Sequence, residues 1–368
     1  MSLVVLAKFR HTSMVIKRQV PSLPPSPQPE RRRRATSYDV AERAGVSQSA
    51  VSRCFAPGTS IAPATRDKIL KVAEELGYRP NALAQSLNAK QSQLVAVLIS
   101  ALGAVLYPKV LSEITRHLHD RNFRVLLFPL YDNADVADIL DQAIRHNVDG
   151  VIAAAHLDPE LLKRFHRHQV PLVLYNRVSF APSLASVCCD TSVDAHVLVG
   201  KLLAAGLRNF GVITGPTDAY ISEARFETTL QLLAKAGVKA PAIVRCDYVY
   251  EQARSALLEL LTANPAIEAI ICTSDIMAIG AIDAARDDLA LDVPGQLSIA
   301  GFDGIDSALW SGYAVTTVAQ PIESMAAAAV QLLVERIKDP TRAPERRLFE
   351  GRFIAGRSAR LAPTITNG

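Results

Sequence analysis

From Gln93 almost to its end the chain alternates short, nearly unbroken apolar runs with amphipathic stretches of helical length, a rhythm that few folds accommodate. The apolar runs are Leu94 to Ile99, Val125 to Leu130, Val151 to Ala155, Leu172 to Tyr175, Phe210 to Thr214, Ile243 to Arg245, Ala269 to Thr273, Leu297 to Phe302 and Val315 to Ala319. Helical stretches lie between them: Lys109 to Asp120, Val136 to His146, Val193 to Ala205, Glu223 to Ala236, Tyr250 to Thr262 and Met277 to Asp287. A run that is apolar at every position belongs to a strand buried on both faces, and strand, helix, strand repeated is the pattern of parallel sheets covered by helices. About eleven strands overfill one sheet, so the body reads as two parallel-sheet lobes dividing near Asp190 to Val193.

The remaining 92 or so residues follow different rules. Residues 1–90 hold 15 Lys/Arg and 6 Asp/Glu, whereas the rest of the chain holds 25 and 30, so a basic head precedes a mildly acidic body. That asymmetry points to a polyanionic partner for the head alone. Residues 1–34 combine a Pro/Ser segment with the run Arg31 to Arg34 and show no periodicity, the composition of a disordered arm. The Arg run reads equally as a solvated charge run or as a phosphate contact.

Short helices follow. Thr36 with Asp39 three residues on makes an N-terminal cap, with Val40, Ala41 and Ala44 as an apolar face. Gly45 supplies a turn, and Ser47 caps a second helix from about Gln48 to Phe55 that turns Ala50, Val51 and Cys54 inward. Pro63 suits the first turn of a third helix, ended by Gly77. Two short helices joined through Ala-Gly-Val form a helix-turn-helix, whose second helix enters the major groove. The outward polar residues there are Gln48, Ser49 and Arg53; Gln pairs with adenine and Arg with guanine, each bidentate contact being worth about 1–3 kcal/mol of discrimination.

The stretch from Thr36 to Leu87 resembles the N-terminal region of the lactose-repressor/galactose-repressor family of bacterial transcription regulators. The matching residues are Asp39-Val40-Ala41, Ala44-Gly45-Val46-Ser47, Val51-Ser52-Arg53, Thr65-Arg66 and Leu76-Gly77-Tyr78-Arg79-Pro80-Asn81, with Ala84 and Leu87. The resemblance implies DNA contacts from Thr36, Ser47, Gln48, Ser49, Ser52, Arg53, Asn81, Ala84 and Leu87. The segment Asn81 to Asn88 is too short to hold a helix in water, where isolated helices under ~12 residues are marginal. By resemblance it is a hinge that folds only when two copies pair on the operator, with Leu87 wedged into the minor groove. The domains are then an arm (1–34), an all-α helix-turn-helix head (35–79), a hinge (80–91) and an α/β periplasmic-binding-protein-like body (92–368).

The same resemblance carries the body. It implies three crossings between the lobes, with the helix Ile322 to Ile337 returning to the first lobe and a last strand near Phe349 to Ile354 joining the second. Ligands in such folds lie between lobes at the carboxyl ends of strands. The effector contacts it implies are Tyr107, Arg177, Arg225, Asp275 and Gln320. An Arg fork and an Asp acceptor suit a polyhydroxylated or carboxylated ligand, so the expected effector is a sugar, sugar acid or related metabolite. The chain departs from the family at Leu106-Tyr107-Pro108, Thr228, Gly206-Leu207-Arg208 and Ser274 in the body, and at Ala56 and Ala62 in the head.

The expected protein is therefore a regulator of double-stranded operator DNA, a repressor working as a homodimer or tetramer, with neither metal nor cofactor. Two other functions compete. A solute-binding protein of a transport system shares the body's fold but leaves the basic head unexplained and needs export. The start SLVVLA leads into Lys8 and Arg10, the reverse of a secretory signal, so a cytoplasmic location is expected. An enzyme needs a nucleophile elbow, a phosphate loop or metal spacing, and none is legible; His166 and His168 diverge on a helix. No apolar run approaches the ~20 residues of a membrane span. The five cysteines, an odd and scattered set, are expected to be reduced thiols.

Overall fold

The computed structural model describes residues 35–55, 60–79, 92–100, 105–130, 135–155, 157–177 and 184–363. They form two compact units, divided between Gln85 and Ser86. The expected arm, the hinge residues Asn81, Ala84 and Leu87, and Ala56 lie outside the described residues.

The first unit is three helices: α1 (Ser37–Ala44), α2 (Gln48–Phe55) and α3 (Pro63–Glu75). Thr36 and Asp39 form a reciprocal capping box, the Asp39 amide donating to Thr36 Oγ1 while Asp39 Oδ2 accepts from the Thr36 amide at 2.7 Å. The Ala50 amide donates to Ser47 Oγ at 3.2 Å, so Ser47 caps α2. Each helix is too short to stand alone. They are held by one small core of Val40, Ala44, Val51, Cys54, Ile69 and Val72.

The second unit contains two sheets. The first has the order β11-β5-β4-β3-β1-β2, from β1 (Leu94–Ser100), β2 (Arg124–Leu130), β3 (Gly150–Ala154), β4 (Leu172–Tyr175), β5 (Ala185–Cys189) and β11 (Arg346–Phe349), all parallel. Its helices are α4 (Tyr107–His119), α5 (Asp135–Arg145), α6 (Pro159–Arg167) and α11 (Ile322–Lys338). The second sheet has the order β12-β10-β9-β8-β6-β7, from β6 (Phe210–Thr214), β7 (Ala242–Arg245), β8 (Ala269–Cys272), β9 (Ser298–Asp303), β10 (Thr316–Ala319) and β12 (Arg352–Ile354). Only β12 runs antiparallel to its neighbour. Its helices are α7 (Thr191–Ala204), α8 (Tyr220–Lys235), α9 (Tyr250–Ala263) and α10 (Asp275–Asp283), the last running into a π-helical turn, Ala284–Asp288.

Each sheet is covered on both faces, as the unbroken apolar runs require. The first packs α4 and α11 on one side and α5 and α6 on the other. The second packs α9 and α10 on one side and α7 and α8 on the other. All five cysteines are free and buried.

The chain crosses between lobes at Asp190, at Gln320-Pro321 and at Glu350-Gly351. Here the structure corrects one expectation. The stretch Phe349 to Ile354 is two strands in two different lobes, because the backbone bends at Glu350-Gly351 and carries β11 into the first sheet and β12 into the second.

Candidate DNA-reading and effector sites

On α2 the side chains of Val51 and Cys54 point into the three-helix core, which leaves Ser49 and Arg53 exposed and Ser52 half-buried. Gln48 Nε2 donates to Ser37 Oγ at 3.2 Å, tying the first turns of α1 and α2 together. Ser49 Oγ lies 2.9 Å from Ser47 Oγ, and Arg53 Nε reaches the Ser49 carbonyl at 3.4 Å. Ser47, Ser49 and Arg53 are therefore linked in a chain along the start of α2, with Gln48 tied to the residue after Thr36. Sequence reasoning passed over Tyr38, which is 71% exposed next to Ser37. An aromatic at an outward helical position beside the reading helix was the signal that could have found it.

The body's site is built at the carboxyl ends of its strands. Arg225, on α8, is buried, with its guanidinium 4.8 Å from the Phe302 ring centroid. Nη1 donates to the Thr273 carbonyl at 2.9 Å and to Asp303 Oδ1 at 2.8 Å. The same Asp303 oxygen accepts from Gln320 Nε2 at 2.7 Å. Arg225 Nε and Nη2 are buried without a hydrogen-bond partner among the described residues, as is Gln320 Oε1. Asp303 holds a positive φ of 114°, a strained conformation for a side-chain-bearing residue of the kind that collects at functional sites.

Asp275 differs. Its Oδ2 accepts from the amides of Gly304 (2.6 Å) and Ile305 (3.1 Å), and its Oδ1 lies 2.7 Å from the Thr317 hydroxyl. Three of its acceptor sites are taken by its own chain, and the residue is fully buried. The carboxylate available to a ligand is Asp303, 13% exposed, with both of its hydrogen bonds on Oδ1.

The first lobe contributes Tyr107 and Arg177. The Tyr107 hydroxyl donates to the Ala154 carbonyl at 3.0 Å. Burial raises its phenol pKa, the Arg177 guanidinium lowers it and the Asp303 carboxylate raises it. Across the cleft, Tyr248 feels the same charges: burial pushes its phenol up to about 12, with Asp303 acting in the same direction and Arg225 and Arg177 against it. Tyr107 and Tyr248 thus both lie within electrostatic reach of Arg177 and Asp303, and Arg225 is paired with Asp303. Tyr248 packs so closely on Gly215 that a Cβ there would lie 2.5 Å from its Cζ. At the mouth, Lys109 Nζ meets Asp306 Oδ1 across the lobes at 3.0 Å, and Leu106 packs against the cores of both.

Residues 36–81 match the model of bacterial regulatory proteins, lacI family, and residues 199–359 match a periplasmic binding protein-like domain. Catabolite control protein A of Priestia megaterium is 30% identical over 315 residues, covering 83% of this chain and 93% of that protein. The chain belongs to the lacI family. The HTH-type transcriptional repressor PurR of Escherichia coli is 27% identical over 336 residues, 89% of this chain and 98% of that one. The Lac repressor dimer bound to operator and the anti-inducer ONPF shares the fold, with a TM-score of 0.81 at 22% identity over 90% of this chain and all of that one. A CelR–cellobiose complex aligns with a TM-score of 0.67 at 25% identity, over 89% of this chain and all of that one.

As a lacI-family member the chain is a DNA-binding transcriptional regulator with an effector-binding domain, not a transport binding protein and not an enzyme. Of the expected effector residues, Arg225 and Gln320 both hydrogen-bond Asp303, whereas Asp275 is held by the Gly304 and Ile305 amides; Asp303 and Tyr248 were not among the expected contacts. Asp303 stood in the sequence as the end of Gly301-Phe302-Asp303, directly after an apolar run, which is where a cleft residue is expected. Tyr248 follows a strand that alternates exposed and half-buried, and its positive φ of 57° turns it in a direction no periodicity foretells.

Proposed function

We propose that the protein is a dimeric repressor that reads a palindromic operator and is switched by a sugar acid, or a closely related polyhydroxylated anion, bound between the two lobes. The observation that carries the effector class is Arg225, a buried guanidinium with two donor nitrogens that no group among the described residues meets. Arg225 and Arg177 together outweigh the single cleft carboxylate of Asp303, which favours a ligand that brings negative charge of its own. Gln320 Oε1 and Asp303 supply acceptors for hydroxyl groups, and Tyr107 and Tyr248 supply flanking rings. Thermal-shift screening of neutral sugars, sugar acids, sugar phosphates and purines against the full chain tests this. A ligand at 100 times its Kd adds about 2.7 kcal/mol of stability. Stabilisation by neutral sugars but not by sugar acids would overturn the acidic class.

On DNA, Gln48, Ser49 and Arg53 read base edges while Thr36, Ser47 and Ser52 anchor to the backbone, and residues 80–91 link this head to the body at 92–368. Asn81, Ala84 and Leu87 act in the hinge, with Leu87 as the wedge. Leu87→Gly is expected to weaken specific binding at least ~10-fold, since unstacking a base step needs an apolar side chain. A loss no larger than that of an exposed surface variant in the same gel-shift titration counts against the wedge. The effector acts by favouring one lobe arrangement, which changes the cost of folding two hinges side by side; coupling of about 1–3 kcal/mol alters affinity roughly 5- to 150-fold.

The dimer is supported by a cluster of outward apolar side chains on the second lobe. Asp283 Oδ2 accepts from Tyr250 at 2.6 Å and Tyr313 at 3.0 Å, drawing the start of α9 and the segment after β9 together. Beside this junction Val249, Leu309 and Trp310 face water, Trp310 at 63% exposure. Trp310→Glu is expected to shift sedimentation from dimer towards monomer, because a buried interface aromatic is worth about 2 kcal/mol or more. Unchanged mass would remove this surface from the dimer. A regulator of operator DNA works in the cytoplasm, and among the described residues no helix is long and apolar enough to cross a membrane.

A further inference from the structure

Neither the head nor the cleft uses Asp194. It lies in the first turn of α7, just after the first crossover, and is buried. Oδ1 accepts from the Gly351 amide at 2.7 Å, and Oδ2 is buried with no hydrogen-bond partner among the described residues. Gly351 belongs to the third crossover. A Cβ on it would lie 2.5 Å from Val318 Cγ1 and 2.8 Å from Asp194 Oδ1, so the third crossover is pressed against both α7 and the end of β10, where the second crossover begins. The first and third crossovers are also tied directly, the Asp190 amide donating to the Phe349 carbonyl at 2.8 Å. A carboxyl group therefore stands where all three inter-lobe connections meet.

The groups that face it are few. Among the described residues Arg225 approaches from α8, Cys189 from the end of β5, Asp190 from the first crossover and Glu350 from the third, and Val318 of β10 packs on the same glycine. Arg225 already gives Nη1 to Asp303 and Thr273. Burial, seconded by Asp190 and Glu350, opposes ionisation, while the Gly351 amide and Arg225 favour it; the balance raises the Asp194 pKa to about 6. An ordinary first-turn aspartate is ionised at any pH a cell meets, whereas this one changes charge within that range.

We propose that Asp194 is a proton-operated stop at the pivot of the two lobes. Protonated, it fits the buried, close-packed junction of the three crossovers and holds the lobes in the arrangement of this structure. Ionised, it demands a second donor, which Arg225 Nη2 or water can supply only if the junction loosens, and the lobes then change their relative angle. The device needs no effector, although Arg225 Nη2 is also the donor offered to a ligand in the cleft, so the test below is made without any ligand.

The test uses the full chain. Because the five cysteines are buried, Lys163→Cys on α6 and Lys235→Cys on α8 give selective sites for spin labels on opposite lobes. The expected result is an inter-lobe distance distribution that changes between pH about 5 and about 8 with a midpoint near 6. In an Asp194→Asn background the low-pH distribution is expected at both ends. A second background, Glu350→Gln, removes an opposing carboxylate and is expected to move the midpoint down. A distribution that does not change with pH in the parent overturns the proposal, as does a change that survives Asp194→Asn or a midpoint unmoved by Glu350→Gln.

Discussion

Arg225→Ala is expected to abolish the stabilisation given by any effector and to lower unfolding free energy by about 3 kcal/mol. The stability loss follows from Asp303. With the guanidinium gone, Asp303 keeps only the Gln320 amide as a donor while it remains largely buried, and an uncompensated buried charge costs about 3–5 kcal/mol, reduced here by its partial exposure. Contact with the Phe302 ring disappears as well. Working the other way, two buried donors without partners vanish with the side chain, each of which costs about 1–3 kcal/mol in the ligand-free protein. Arg225→Lys separates the two roles. Its ammonium still neutralises Asp303, so most stability returns, but a point charge cannot offer the planar pair Nε and Nη2 to a carboxylate or vicinal hydroxyls. Effector affinity should therefore fall about 10- to 100-fold with little change in melting temperature, since each charged hydrogen bond is worth about 1.5–3 kcal/mol. A full effector-induced shift in Arg225→Ala would place the ligand elsewhere.

How far the sequence led depends on the reach of the physics at each residue. The two lobes were legible because β3, β4, β6 and β8 are buried at every position, which writes an unbroken apolar run into the chain. Strand β5, Ala-Ser-Val-Cys-Cys, is buried just as fully, yet small and polar side chains hide it, and its partners β4 and β11 are what make it a strand. The break between β11 and β12 was invisible because Phe349 to Ile354 reads as a single strand; what parts it is the close approach of Asp194 and Val318 to Gly351, 157 and 33 residues away. The head was legible almost residue by residue, since caps and turns are local events. The cleft was legible as a set of segments and not as a set of roles. Asp275 and Asp303 both follow apolar runs, and only the amides of Gly304 and Ile305, drawn from a distant loop, decide which of the two is occupied.

That difference makes Asp275 the sharper experiment. Asp275→Ala is expected to destabilise the body by about 3–5 kcal/mol, because the Gly304 and Ile305 amides and the Thr317 hydroxyl lose their common partner in a buried site. Asp275→Asn should be tolerated. Its carbonyl oxygen can accept from both amides and its NH2 can donate to Thr317 Oγ1, which is how a protonated carboxyl would use the same partners. Burial, followed by repulsion from Asp303, pushes the Asp275 pKa up to about 8, against three hydrogen bonds that favour the charged form. A folded pKa raised above the unfolded value of ~3.9 means that this carboxyl's contribution to stability is complete below pH ~3.9 and is lost as pH rises through about 8. The melting temperature of Asp275→Asn relative to the parent should therefore climb between pH ~4 and ~8 and level off above. An effector shift that survives in Asp275→Asn, while Arg225→Lys loses it, is the pattern expected of a carboxyl that braces the loop behind Asp303 without touching the ligand; loss of the shift in Asp275→Asn with an intact fold would return Asp275 to the binding surface.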